Sequence, residues 1–219
     1  MQYPTRNTIL KKPVVWKDLF FYRKSDTLYQ LTVVFCSRFL PAHGDRTVDQ
    51  MVQAARSGKQ NIVEGSEDGK TSSEMEIKLI NVARSSLLEL REDYLDYLKR
   101  NNLPLWDSEH PRYETMRRFC SKHNDYRDYK SFAEQLNDEE LANMALTLCH
   151  QTDKLMTSYL EKLKKRFVIE GGIKERMHAA RTGYRENADQ RLKELEAENQ
   201  RLKEENQHLR QLLGMPRNA

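Results

Sequence analysis

The chain has 219 residues, 37 Lys and Arg against 33 Asp and Glu, a net charge of +4 and a pI near 8.8. That length holds one sizeable domain plus an extension, and no segment approaches the apolar length of a membrane span. The charge is only mildly basic, which permits an anionic partner without demanding one.

The N-terminal arm, residues 1–15, carries no apolar run long enough for a secretory leader, and the three cysteines, Cys36, Cys120 and Cys149, have no metal-ligand spacing. The expectation is a soluble, cytoplasmic protein with reduced thiols, no cofactor, no metal and no membrane partner. Helical periodicity dominates the rest, and no alternating run makes a strand. A first helix is predicted from Asp18 to Phe39, with Leu28, Leu31, Phe35 and Phe39 on one face and Pro41 and Gly44 stopping it. A second is predicted from Thr47 to Glu64, burying Val48, Met51, Val52, Ala55 and Ile62, with Gly65 as a left-handed C-cap. After a short polar link, Ser66 to Lys70, a third opens on a capping box, Thr71 with Glu74 or Ser73 with Glu76, and carries the stripe Ile77, Ile80, Ala83, Leu87, Leu90, Tyr94 and Leu98. Residues 104–136 read as an excursion with one short helix near Tyr113 to Ser121. A fourth helix starts at an Asn137 and Glu140 capping box and runs to Phe167, ended by Gly171 and Gly172.

The last third is a leucine zipper. With Leu192, Asn199, Asn206 and Leu213 at the a positions, Leu195, Leu202 and Leu209 fall at d, where leucine favours two parallel strands. An a-position Asn pairs with its own copy across a parallel two-fold axis and is an unpaired amide in any other register, so both asparagines specify strand number. The flanks agree: Arg191 faces Glu196, Glu198 faces Lys203 and Glu205 faces Arg210 of a parallel partner, all attractive. The fold class is therefore all-α: an up-and-down antiparallel four-helix bundle over 16–170, a connector helix over 171–186 broken at Gly183, and a C-terminal parallel coiled coil over 187–214.

The stretch Gln53 to Gly65, with Asn61, Glu64 and Gly65, followed by Ala83-Arg84-Ser85-Ser86-Leu87-Leu88-Glu89-Leu90, resembles the bacterial four-helix-bundle proteins encoded by intervening sequences of large-subunit ribosomal RNA genes. That superfamily includes the accessory variability determinants of diversity-generating retroelements. Trp16 to Tyr22 is similar to its lead-in, and Glu170-Gly171-Gly172 with Glu175-Arg176-Met177 resembles the branch carrying a four-helix-bundle suffix domain. The 104–136 insertion and the long C-terminal extension depart from the short members. The resemblance implies an up-and-down bundle, often a ring of five, a basic surface for nucleic acid and, for retroelement relatives, a non-enzymatic partnership with a reverse transcriptase.

The candidate nucleic-acid contacts are Lys162, Lys164, Lys165 and Arg166, with Arg56 and Lys59 as companions. Cations near a helix C-terminus also complement the macrodipole, so half of that cluster has a structural explanation. Asn61, Glu64, Gly65, Ala83, Ser86, Leu87, Glu89 and Leu90 are read as structural, and the aromatics of the excursion as pins holding it to the bundle. Scattered histidines, and the lack of a phosphate loop or nucleophile elbow, point away from an enzyme and leave no catalytic residue to nominate. The expected function is a non-enzymatic oligomeric scaffold offering a basic surface to RNA or DNA. The alternatives are a protein adaptor acting through its coiled coil, and a basic-zipper DNA-binding regulator with Lys174, Arg176, Arg181 and Arg185 upstream of the zipper.

Overall fold

In a computed structural model, which describes residues 15–41 and 46–213, the elements are a 3-10 turn at Trp16–Asp18, then α1 (Phe20–Phe39), α2 (Arg46–Asp68), α3 (Ser73–Arg100), α4 (Tyr113–Lys122), α5 (Arg127–Ala133), α6 (Asp138–Glu170) and α7 (Ile173–Leu212). Among the described residues there is no strand. Residues 1–14, Gly44 and position 214 lie outside them, so the expected N-terminal arm and the role of Gly44 are not described. The chain divides into two compact units between Gly172 and Ile173.

The first unit is a closed four-helix bundle in which α1, α2, α3 and α6 each pack on two neighbours in that cyclic order. Its directions follow from who meets whom. Gly58 lies against Leu87 and Gly65 against Leu79 and Ile80, so α2 and α3 are antiparallel. Tyr159 Oη donates to Glu76 Oε1 at 2.7 Å and Tyr97 Oη to Asp138 Oδ2 at 3.0 Å, so α6 also runs against α3. Diagonal helices α1 and α3 meet inside the core, where Tyr94 Oη donates to Thr32 Oγ1 at 3.0 Å and Phe35 packs edge-on against Tyr94 and Tyr97. The stripes read from periodicity face the core: Leu28, Leu31 and Phe35; Met51, Ala55 and Ile62; Ile80, Ala83, Leu87, Leu90 and Tyr94; and Leu141, Ala145 and Leu148 are buried, while Phe39, Val48, Val52 and Ile77 are only half-buried against them. Each fully buried large apolar side chain contributes about 1.5–3 kcal/mol, and this shared core is what holds the four helices together.

Several boundaries differ from the sequence reading, each for a local reason. The first helix starts at Phe20, because Trp16–Asp18 is a separate 3-10 turn. Gly65 is not a C-cap: α2 runs on to Asp68, with Ser66 Oγ bonding Ile62 O and Gly69 N bonding Gly65 O. Its glycine serves contact, since a Cβ there would lie 3.1 Å from Leu79 Cβ. The N-cap of α3 is Ser72, whose Oγ accepts from Met75 N at 3.1 Å, rather than Thr71 or Ser73. Glu76 is turned inward to Tyr159 instead of capping. The Asn137 and Glu140 box stands as expected. Gly183 does not break the connector, and α7 is continuous through it. The fourth helix does stop at Gly171, as expected, where a φ of 69° lies in the left-handed region that favours glycine.

Gly58 is the tightest point of the α2–α3 seam. A Cβ there would meet Leu87 Cγ at 2.7 Å. Alanine gains about 1 kcal/mol of helix propensity, whereas overpacking a core costs about 1–3 kcal/mol. Gly58→Ala is therefore expected to lower the urea midpoint of unfolding, and a raised midpoint would show the seam to be slack.

The excursion is ordered by an anchoring set that the sequence reading missed. Lys24, buried on α1, donates to the carbonyls of Cys120 and His123 at the end of α4, and Thr27 Oγ1 donates to Asn124 O at 2.8 Å. Tyr129 Oη donates to His123 O at 2.9 Å, and Arg23 pairs with Asp125. Trp106 N donates to Asn143 Oδ1 at 2.8 Å, and Phe119 packs on His123, Tyr129 and Phe132. The aromatics do pin the loop. Three backbone carbonyls and a carboxylate of the α4–α5 turn and its approaches find partners in this way, which removes the cost of leaving them unpaired.

Candidate association helix and basic helix end

The second unit is dominated by α7, and none of its residues is buried. Leu192, Leu195, Leu202 and Leu209 are 56%, 46%, 54% and 50% exposed, and Leu213 is more so. Single exposed leucines are ordinary, but a run of them at three- and four-residue spacing forms one apolar stripe along a helix. Asn199 and Asn206 sit in that stripe, also exposed, and Asn206 Oδ1 accepts from Arg210 Nε at 3.0 Å. The contacts within the helix are local: Arg191 with Glu194 at 3.3 Å and Gln200 with Glu204 at 2.7 Å. Glu196, Glu198, Lys203 and Glu205 make no ion pair among the described residues, so four of the six flanking charges of the heptad remain open to a second helix.

The basic cluster lies on the last turns of α6, where Lys162, Lys164, Lys165 and Arg166 are all exposed and Lys164 makes one loose pair with Glu161 at 3.7 Å. The helix continues to Glu170, and its last turn contains no cation. A macrodipole acts mainly within the terminal turn, so it accounts for less of the cluster than the sequence reading allowed. The adjacent Val168 and Ile169 are also exposed.

The structure does not bring Arg56 and Lys59 to this cluster. They lie on α2, diagonal to α6, and at 1.5 Å per residue they stand on the order of 20 Å or more away along the axis. Lys59 is already engaged, with Asp26 Oδ1 at 3.1 Å and the Tyr29 ring at 4.4 Å. Arg56 is exposed.

The residues that carry the family resemblance form the α2–α3 seam. Asn61 Nδ2 donates to Ser57 O at 2.9 Å, Ser57 Oγ lies 3.1 Å from Ser86 Oγ, and Ala83, Leu87 and Leu90 are buried beneath. Glu64 and Glu89 point to solvent. Glu89 borders an open groove of about 620 Å3 with Asp49, Asp93 and Arg46. Burial, followed by the nearby Asp96 and Glu89 charges, holds the Asp93 carboxyl above its usual range. No group of three potential metal ligands clusters among the described residues, and none of their helices is long and apolar enough to cross a membrane. Compared with known proteins, the chain matches no family model, no curated protein and no solved structure.

Proposed function

We propose that this protein is a non-enzymatic oligomeric scaffold in which α7 pairs in parallel with a second copy and the exposed cations of α6 contact the phosphates of RNA or DNA. The observation that carries the reading is the leucine stripe of α7, about half exposed on a helix with no buried residue. Pairing in the register set by Asn199 and Asn206 would cover it and match the open charges of the flanks. Joining copies multiplies weak basic surfaces through effective concentration without any new contact.

The resemblance to ribosomal RNA intervening-sequence proteins and retroelement accessory determinants supports RNA as the first nucleic acid to try, and a reverse transcriptase as the first protein partner by analogy. It also implies a ring of five bundles, which two-stranded tails cannot satisfy within one ring, so tails would pair between rings. The local code of the zipper is the stronger guide for the tail. Replacing Asn199 and Asn206 with Ile is expected to loosen strand number, giving species larger than a pair in sedimentation. An unchanged mass would remove the asparagines from that role.

The test of nucleic-acid contact is fluorescence anisotropy with structured RNA, single strands and duplex DNA across a salt series. Each neutralised phosphate adds about 0.9 to the slope of log affinity against log salt on duplex DNA. Lys164→Glu with Lys165→Glu is expected to flatten that slope and weaken binding roughly tenfold or more at moderate salt. Binding lost instead with Arg181→Ala and Arg185→Ala would favour a DNA-binding regulator of basic-zipper type. No binding at low salt would leave a protein adaptor acting through α7.

A further inference from the structure

A groove of about 500 Å3 opens between the excursion and the outer face of α6. Its base is α6, where Thr147, His150 and Lys154 step by three and four and so share a face with the buried Asn143. Its walls are Leu105 and Trp106 of the excursion and Tyr113 of α4. Asn143 fixes the excursion in place: its Oδ1 accepts from Trp106 N at 2.8 Å and its Nδ2 donates to Pro104 O at 3.0 Å, while Trp106 Nε1 donates to Glu139 Oε1 at 2.6 Å. The groove is therefore preformed. Most of its lining surface is apolar, and Leu105 is 55% exposed. Small-molecule sites have this character, being largely preformed clefts of about 300–1,000 Å3 with a mainly apolar lining and a few placed polar groups.

Three polar side chains of α6 keep unused bonding capacity on this groove. Lys154 and His150 are exposed and make no hydrogen bond or ion pair among the described residues. Gln151 donates its amide N–H to Arg117 O at 3.0 Å, but its Oε1 is shielded from solvent and has no hydrogen-bond partner. A shielded acceptor costs free energy until a donor reaches it. The remaining charges are engaged: Arg117 holds Glu114 at 2.8 and 2.9 Å, and Asp107 Oδ1 accepts from Glu109 N at 2.9 Å. An open ammonium beside an apolar wall matches a ligand with one negative end and a flat apolar body.

We propose that this groove binds a small aromatic anion, with its rings against Leu105 and Tyr113, its acidic group on Lys154 beside His150, and an N–H or O–H donor turned to Gln151 Oε1. The site lies wholly within the bundle unit. It is independent of the pairing of α7 and of the cations at the end of α6.

Two dyes of one skeleton test it in the full chain: anilinonaphthalene sulfonate, which carries the rings, an N–H and a sulfonate, and phenylnaphthylamine, which lacks only the sulfonate. The chain has two tryptophans, and in a Trp16→Phe background Trp106 on the groove wall reports binding by energy transfer to either dye. Both dyes are expected to quench it. Leu105→Asp is expected to abolish quenching by both, whereas Lys154→Gln is expected to weaken the sulfonate dye about tenfold or more and leave the uncharged one unchanged. Leu105 and Lys154 are both exposed, so neither change is expected to move the thermal transition. No quenching of Trp106, or quenching that survives Leu105→Asp, would overturn the site. An equal effect of Lys154→Gln on the two dyes would overturn the choice of an anion.

Discussion

In the parallel pairing proposed for α7, Leu202→Asp is expected to convert paired copies into separated chains. Position 202 is the central d layer of the zipper, and in a pair the substitution removes two leucines and sets two carboxylates against each other. Burial of one leucine contributes about 1.5–3 kcal/mol, so the lost pair alone weakens association by roughly a hundredfold to ten-thousandfold. Carboxylate repulsion in a desolvated layer adds to that. Light scattering and sedimentation over a range of concentrations read the effect directly, with Glu204→Ala on the outer face as the silent control. The bundle is a separate compact unit with its own core, so its thermal transition should survive. An unchanged mass for Leu202→Asp would sink self-association through this helix.

The second large effect is on the bundle, and it is alkaline unfolding. Burial pushes the thiols of Cys36 and Cys149 up to about 12 and that of Cys120 up to about 11, from an ordinary value of 9.0. A thiol whose folded pKa is raised keeps its proton while the unfolded chain loses it. Its contribution is therefore fully present below pH 9 and is lost as pH climbs toward the folded value. At pH 10 the three together cost roughly 4 kcal/mol, a large share of a usual 5–15 kcal/mol stability. Lys24 works the other way: burial lowers its pKa below 10.5, so stability rises with pH between the folded and unfolded values and offsets part of one thiol. Above pH 10 the buried Tyr94, Tyr129 and Tyr159, all raised chiefly by burial, steepen the loss. Urea unfolding at pH 8, 9 and 10 checks this, and Cys149→Ala should flatten the slope by about a third of the thiol effect. A midpoint that holds steady from pH 8 to 10 would mean the thiols are not as dry as their packing indicates.

What was legible in the sequence had a local cause. Helix faces follow from the 3.6-residue period, so the stripes of α1, α2, α3 and α6 could be read before any coordinates, and the Asn137 box needs only two side chains and their own backbone. The leucine stripe of α7 is legible for the same reason, because its spacing is written along one helix. Glycines were misread where two roles share one letter. Gly65 and Gly183 look like punctuation in a string, but the first is a contact between helices and the second lies inside a continuous one. Among the described glycines only Gly171 has a left-handed φ.

Contacts across the fold left no trace in spacing. Lys24 meets the end of α4 almost a hundred residues away, and Tyr159 meets Glu76 across 83 positions. A lysine in an amphipathic helix reads as solvent-facing until a neighbour's carbonyls close over it. The basic candidates show the same limit: Arg56, Lys59 and the α6 cations share a charge but not a surface, because bundle topology puts α2 and α6 on a diagonal. The sequence by itself determined the class, the four stripes and the leucine spacing along α7, all of them properties of one helix at a time. The tertiary structure alone decided which glycines are contacts, which lysine is buried and which cations stand together, since those depend on neighbours that the chain brings near only by folding.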